Sequence, residues 1–247
     1  MFDKTMFDRT IDVYWLEQAT VDLPADNDWL SPSEALRMNG MRFAKRRADW
    51  RLGRWTAKRA LAVCLNLPLD RDALASIEIR PAPSGAPEVF LANTPAGATI
   101  SLSHRAGTAV CAVALSGAAL GCDLEIIEPH TDAFVADYFT TEEQGLVARA
   151  SAADRLRLVA LLWSGKESML KALHAGLRLD TRCVMVGPVD EVAAECAANT
   201  WRPLRVSDAN GEIFHGWWQH TGNLLRTMVA ALPPVPPILL KIPGGHA

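Results

Sequence analysis

Trp163-Ser164-Gly165-Lys166-Glu167-Ser168-Met169-Leu170-Lys171 is the stretch from which the rest of the chain is read. It lies late in a helical pattern running from about Asp154 to His174. There Leu156, Val159, Ala160, Trp163, Leu170 and Leu173 recur at three- and four-residue spacing and form one apolar stripe. Gly176 follows as a helix stop. Glu167 and Lys171, four residues apart, share a face, and Lys166 lies beside them. Such a group is either an exposed salt-bridge pair, worth roughly 0.3–0.5 kcal/mol, or a carboxylate that holds a metal beside lysines that hold phosphate. Taken alone the stretch favours the first reading; the second needs partners elsewhere in the chain.

Gly121-Cys122-Asp123-Leu124-Glu125 supplies such partners. The run from Val110 to Leu115, then Ser116-Gly117, then Ala118 to Glu125 predicts strand, tight turn, strand. On a strand, Asp123 and Glu125 project from one face and Leu124 from the other. Two adjacent carboxylates repel unless a cation sits between them, and oxygen donors suit Mg²⁺ or Mn²⁺ better than zinc. A polar strand at a sheet edge would carry the same residues, and both readings stay open on spacing alone.

The two segments in this order, about forty residues apart, resemble the paired signature of the 4′-phosphopantetheinyl transferases. Three further stretches agree: Ser101-Leu102-Ser103-His104, Tyr138-Phe139-Thr140-Thr141-Glu142-Glu143, and the basic run from Arg46 to Arg54. The resemblance spans roughly residues 40 to 180, and the length of the chain points to the two-half type similar to surfactin-synthetase-activating transferases. It implies an α/β (α+β) fold of two similar halves related by a pseudo-twofold. The boundary falls at Ser116-Gly117: residues 1–116 would bind coenzyme A, and residues 117–247 would carry the metal and transferase motifs.

The activity implied is that of a holo-[acyl-carrier-protein] synthase type enzyme. It moves the phosphopantetheine arm of coenzyme A onto a serine of an apo acyl or peptidyl carrier protein and releases 3′,5′-ADP. By resemblance, Asp123, Glu125 and Glu167 hold Mg²⁺, or Mn²⁺ in its place; Glu167, Lys171 and Lys166 are catalytic, with Glu167 taking the serine proton. Arg47, Arg51, Arg54, Ser103, His104, Lys166 and Lys171 bind coenzyme A. Two departures stand out: Ala86 occupies a position where the family often has lysine, and Arg105 one where it often has a small polar residue. Phe134, Tyr138 and Phe139, between the two signature segments, are candidates for docking the carrier. Two other classes remain: a carrier-binding module without activity, and a metal-dependent phosphohydrolase using the same carboxylates.

Composition limits the alternatives. In 247 residues, 49% are hydrophobic and 21% charged, with a formal net charge of −3. That excludes disorder and leaves no general basic excess for nucleic acid. No apolar run reaches the length of a membrane span. Asp3, Lys4, Asp8 and Arg9 do not make a signal peptide. Five dispersed cysteines, Cys64, Cys111, Cys122, Cys183 and Cys196, fit reduced thiols in a cytoplasm and lack zinc spacing. A two-half chain can complete its site as a monomer. Two capping boxes are legible, Ser31 with Glu34 and Thr140 with Glu143, and the basic amphipathic pattern from Met41 to Leu65 predicts a long helix. Strands are expected at Ile11–Trp15, Ile77–Arg80, Glu88–Leu91 and Thr99–Ser103, and again from Cys183 onward. No fixed-period repeat is apparent, and the proline-rich tail after Leu232 reads as loosely held.

Overall fold

The computed structural model describes residues 10–187 and 198–242; Cys196 and the charged N-terminal residues Asp3 to Arg9 lie outside them. Strand β1 (Tyr14–Ala19) leads to helices α1 (Pro32–Asn39), α2 (Ala44–Cys64) and α3 (Arg71–Ser76). Strands β2 (Ile77–Pro81), β3 (Pro87–Leu91), β4 (Thr94–Arg105) and β5 (Thr108–Ala114) follow. The sequence of events then recurs. Strand β6 (Leu120–Ile126) leads to α4 (Asp132–Tyr138), α5 (Thr141–Arg149) and α6 (Ala152–Ala172), then to β7 (Val184–Val186), β8 (Arg202–Asp208), β9 (Ile213–Thr221) and β10 (Leu224–Ala230). A last strand, β11 (Ile238–Leu239), closes the described chain.

The sheets run β11-β1-β5-β4-β3-β2 and β6-β10-β9-β8-β7. Leaving β11 aside, each has the order first, fifth, fourth, third, second, with the helices inserted between first and second. The expected hairpin across Ser116-Gly117 does not form: β5 and β6 belong to different sheets. Both edges of β5 are taken, by β1 and β4, so the next strand has to begin a new sheet. Three cores result. One lies under α2 and includes Leu61 and Cys111; one lies under α6 and includes Leu162 and Val229. The third, with Trp15, Val110, Cys122 and Met228, joins the two sheets.

Each long helix is fastened by the same device. The side chain of Ser31 caps α1, whose third residue, Glu34, ion-pairs with the fully buried Lys58 of α2 at 2.5 Å. Lys58 also donates to the Trp29 carbonyl, and Glu34 accepts from the Ile79 amide of β2. In the second unit Thr140 caps α5, and its third residue, Glu143, pairs with the fully buried Lys166 of α6 at 2.7 Å. Lys166 donates to the carbonyls of Thr181 and Val184, and Glu143 accepts from the Val186 amide of β7. A buried cation is tolerated only with such full partnering. The sequence repeat is therefore real although short: Trp55-Thr56-Ala57-Lys58 answers Trp163-Ser164-Gly165-Lys166.

The part of the tail within the described residues is not loose, and residues 243–247 lie outside them. Val235, Ile238 and Leu240 donate to the carbonyls of Ile11, Val13 and Trp15, and β11 runs parallel to β1. The prolines between them lack a donor, but at a sheet edge every second residue suffices. Helix α6 also stops earlier than Gly176: Leu173 is its cap, and His174 takes the left-handed conformation at φ 53°.

Candidate active site

Asp123 and Glu125 stand on β6, which packs against α6 with no side chain between at Gly121; a Cβ there would lie 1.7 Å from the Ser168 carbonyl oxygen. This close approach brings α6's Lys171 onto the strand. Lys171 Nζ reaches Asp123 Oδ1 at 2.7 Å, the Cys122 carbonyl at 3.1 Å and Ser103 Oγ at 3.2 Å. Ser103 in turn donates to Asp123 Oδ1 at 2.8 Å. Asp123 is 3% exposed, yet its second oxygen, Oδ2, has no hydrogen-bond partner. Glu167 Oε1 is buried and equally bare.

Glu125 has both oxygens engaged. Oε1 accepts from Trp163 Nε1 at 3.1 Å, and Oε2 lies 3.5 Å from Arg105 Nε. Burial and the neighbouring Asp123 push the Glu125 carboxyl up to about 7, against the pull of Arg105, the Trp163 hydrogen bond and Lys171. Burial also raises Glu167, with Lys171 opposing and Asp123 reinforcing. Burial, the largest single influence, would lower Lys171, but Asp123, Cys122 and Glu167 together outweigh it and the ammonium is held more firmly than usual.

Among the described residues, no group of three or more His, Cys, Asp or Glu stands close enough together to hold a metal ion as placed. The donor chemistry nonetheless fits a hard divalent cation. Asp123 Oδ2 and Glu167 Oε1 have no hydrogen-bond partner, and Glu125, raised chiefly by burial, adds a third carboxylate, so the donors are the oxygens such an ion takes.

A pH effect follows. A carboxyl that binds its proton more tightly when folded than when unfolded makes the fold less stable as pH rises between its two pKa values. For Glu125 that window runs from about 4.5 to about 7. The metal-free protein is expected to lose up to about 3 kcal/mol across it. Thermal melts at pH 5.5 and 7.5 check this: the drop in midpoint should shrink in Glu125→Gln, and an equal drop in both proteins would refute it.

The site opens into a groove made of two adjoining cavities of about 370 and 630 Å³, which share Trp50, Arg54 and Leu102. Lys171 lines the first, Ser103 and His104 the second, and Arg54 both, so these four expected residues are brought together. Arg54 is 9% exposed, with its guanidinium 5.0 Å over the Trp50 ring and its Nε without a hydrogen-bond partner. Burial lowers it to about 10, with Glu34 opposing.

Three expected cations are elsewhere. Lys166 is fully buried in its pair with Glu143, and burial lowers its pKa against that partner's pull. It reaches neither the groove nor the carboxylates of β6. Arg47 donates to the Met41 carbonyl, and Arg51 to those of Pro24, Ala25 and Asp26; neither lines the groove. The wall is instead the stripe Arg46, Trp50, Arg54, with Arg37 from α1 and Lys45 adding charge. Four-residue spacing along α2 marks that stripe. Ala86 does line the first cavity. Of the three aromatics expected at a docking surface only Tyr138 is exposed. Phe139 is fully buried, and Phe134 packs between His130, Tyr138 and Trp163.

Residues 119–220 match the family model of the 4′-phosphopantetheinyl transferase superfamily, a span that covers less than half of the chain but includes Asp123, Glu125, Glu167 and Lys171. Among solved structures the chain is similar to a holo-(acyl-carrier-protein) synthase from Bacillus anthracis str. Ames in complex with CoA (3′,5′-ADP). The two are 20% identical, the match covers 42% of this chain and 94% of that one, and the TM-score is 0.35. No curated protein matches the chain. Among the described residues no helix is long and apolar enough to cross a membrane.

Proposed function

We propose that this protein transfers the 4′-phosphopantetheine arm of coenzyme A to a serine of an apo acyl or peptidyl carrier protein, leaving 3′,5′-ADP. The observation that carries the reading is Lys171. It lines the cationic groove and pairs with Asp123, so a phosphate chain lying in the groove would end at the carboxylates. Asp123, Glu125 and Glu167 would hold Mg²⁺, which neutralises charge on a pyrophosphate when bound. Arg54, His104 and Lys171 would orient the phosphates. The serine Oγ forms a bond to the phosphorus bearing the pantetheine arm. The bond from that phosphorus to the bridging oxygen breaks, and its electron pair leaves with 3′,5′-ADP. The serine proton passes to the Glu167 carboxylate, directly or through a water.

The two-half organisation, with residues 1–116 and 117–247 as repeats, is supported by the shared strand order and the paired Lys–Glu devices. Since both halves are in one chain, it would work as a monomer, and coenzyme A and free thiols suit the cytoplasm. The test is the mass of a candidate apo carrier after incubation with the protein, coenzyme A and Mg²⁺. A carrier gaining the phosphopantetheine mass supports the reading. Free phosphopantetheine with an unchanged carrier would mark a phosphohydrolase, and coenzyme A binding without turnover an inactive module. In calorimetry His104→Ala, an exposed residue at the groove, is expected to weaken coenzyme A binding about tenfold or more. Unchanged affinity would remove His104 from the phosphates.

A further inference from the structure

Arg105 ends β4, just before the turn in which Ala106 and Gly107 both take positive φ, so its backbone is pinned between two paired strands. Its side chain is held only by two ion pairs. It is 42% exposed and lies between two carboxylates of the segment leaving β6. Nε faces Glu125 Oε2 at 3.5 Å, a loose contact with a buried partner that is 17% exposed. Nη2 meets Glu128 Oε1 at 2.6 Å, a close contact with a partner 41% exposed. Nearby, the nearly fully buried Asp123 keeps one oxygen bare while Lys171 holds the other. The three inward carboxylates thus have two resident cations, Lys171 on α6 and Arg105, whose guanidinium is shared between Glu125 and the closer Glu128.

We propose that Arg105 is a resident counter-cation for Glu125 that withdraws onto Glu128 when a divalent ion enters, and so sets how readily the site takes up that ion. The inference rests on the metal reading of Asp123, Glu125 and Glu167 given above. Two like charges cannot share one carboxylate oxygen without cost, so a guanidinium on Glu125 competes with the ion. Glu128 relieves that competition by giving the guanidinium an alternative. Arg105 does not touch the reacting atoms in this scheme; it is a positioning residue acting through Glu125.

The test is calorimetric titration of Mn²⁺ into the full-length protein without coenzyme A, with thermal melts as a check that each variant is folded. Arg105→Ala is expected to tighten Mn²⁺ binding by about three- to fivefold, as befits a half-exposed ion pair. Glu128→Gln is expected to weaken it by a similar factor, because the guanidinium then stays on Glu125. The double variant should match Arg105→Ala alone, which is the signature of one residue acting through the other. Mn²⁺ affinity unchanged or weakened in Arg105→Ala overturns the role of Arg105 while leaving the metal site standing. A Glu128→Gln effect that persists in the double variant also overturns it, since Glu128 would then act by its own charge. Failure of the wild type and every variant to bind Mn²⁺ removes the metal reading itself, and the inference with it.

Discussion

Gly121→Ala is expected to leave the protein unable to fold. The added Cβ would stand 1.7 Å from the Ser168 carbonyl oxygen, 2.7 Å from its carbon and 2.9 Å from the Ala172 nitrogen. All three are backbone atoms of α6, so no rotamer change relieves the clash. Helix α6 cannot retreat as a body, because its other side is anchored by the buried Lys166–Glu143 pair and by the core around Leu161 and Leu162. The expected loss exceeds about 4 kcal/mol, in the range reserved for forced backbone displacement or severe overpacking. That is a large share of the roughly 5–15 kcal/mol by which an ordinary domain is stable. Soluble yield and a circular dichroism melt measure it. Gly53→Ala, where nothing lies within 4 Å of the added carbon, is the control. It should be neutral or stabilising by up to about 1 kcal/mol, as expected for alanine in a helix interior. A cooperative Gly121→Ala melt close to that of the wild type would mean that β6 and α6 are not in backbone contact.

Asp123→Asn is expected to abolish transfer while preserving the fold. Asparagine keeps the oxygen that accepts from Lys171 and Ser103 and removes only the charge. Truncation to alanine would be a poorer probe, since it strands the Lys171 ammonium beside a buried strand. Loss of a metal-facing carboxylate removes several kcal/mol of charge stabilisation, or about a thousandfold in turnover. Glu167→Gln should behave alike, and because it relieves the repulsion from Asp123 it should not lower the melting temperature of the metal-free protein. The measurements are steady-state transfer to an apo carrier, coenzyme A binding and thermal stability. Either variant retaining turnover within tenfold of the wild type would remove its carboxylate from the reaction.

Local features were legible before the fold was seen. Both capping boxes form as read, because a cap depends on residues three positions apart. Helices α2 and α6 fall within a few residues of the expected spans, since their apolar stripes repeat over five turns. What failed depended on distant partners. The strand–turn–strand pattern around Ser116-Gly117 reads as a hairpin, but nothing local reveals that both edges of β5 are already occupied by two earlier strands, β1 and β4. Lys166 adjoins Glu167 in sequence, yet one residue along a helix is a rotation of about 100°. One side chain turns to the carboxylates and the other to Glu143. The same geometry separates Arg46, Arg54 and the groove from Arg47 and Arg51. The repeat of Trp55-Thr56-Ala57-Lys58 in Trp163-Ser164-Gly165-Lys166 was present throughout, but it is too short to stand out until its two lysines are seen buried on matching glutamates.

Strand β11 bears on the order in which the molecule is completed. The outer edge of β1 and the segment that covers it, from Val235 to Leu240, lie far apart along the chain, with all of the second sheet between them. Until that later segment is made, the first sheet therefore carries an open row of carbonyls from Ile11 to Trp15, available to any extended peptide that meets it. Once Val235 to Leu240 have been made they take that place, which ties the segment after the second sheet back onto the first.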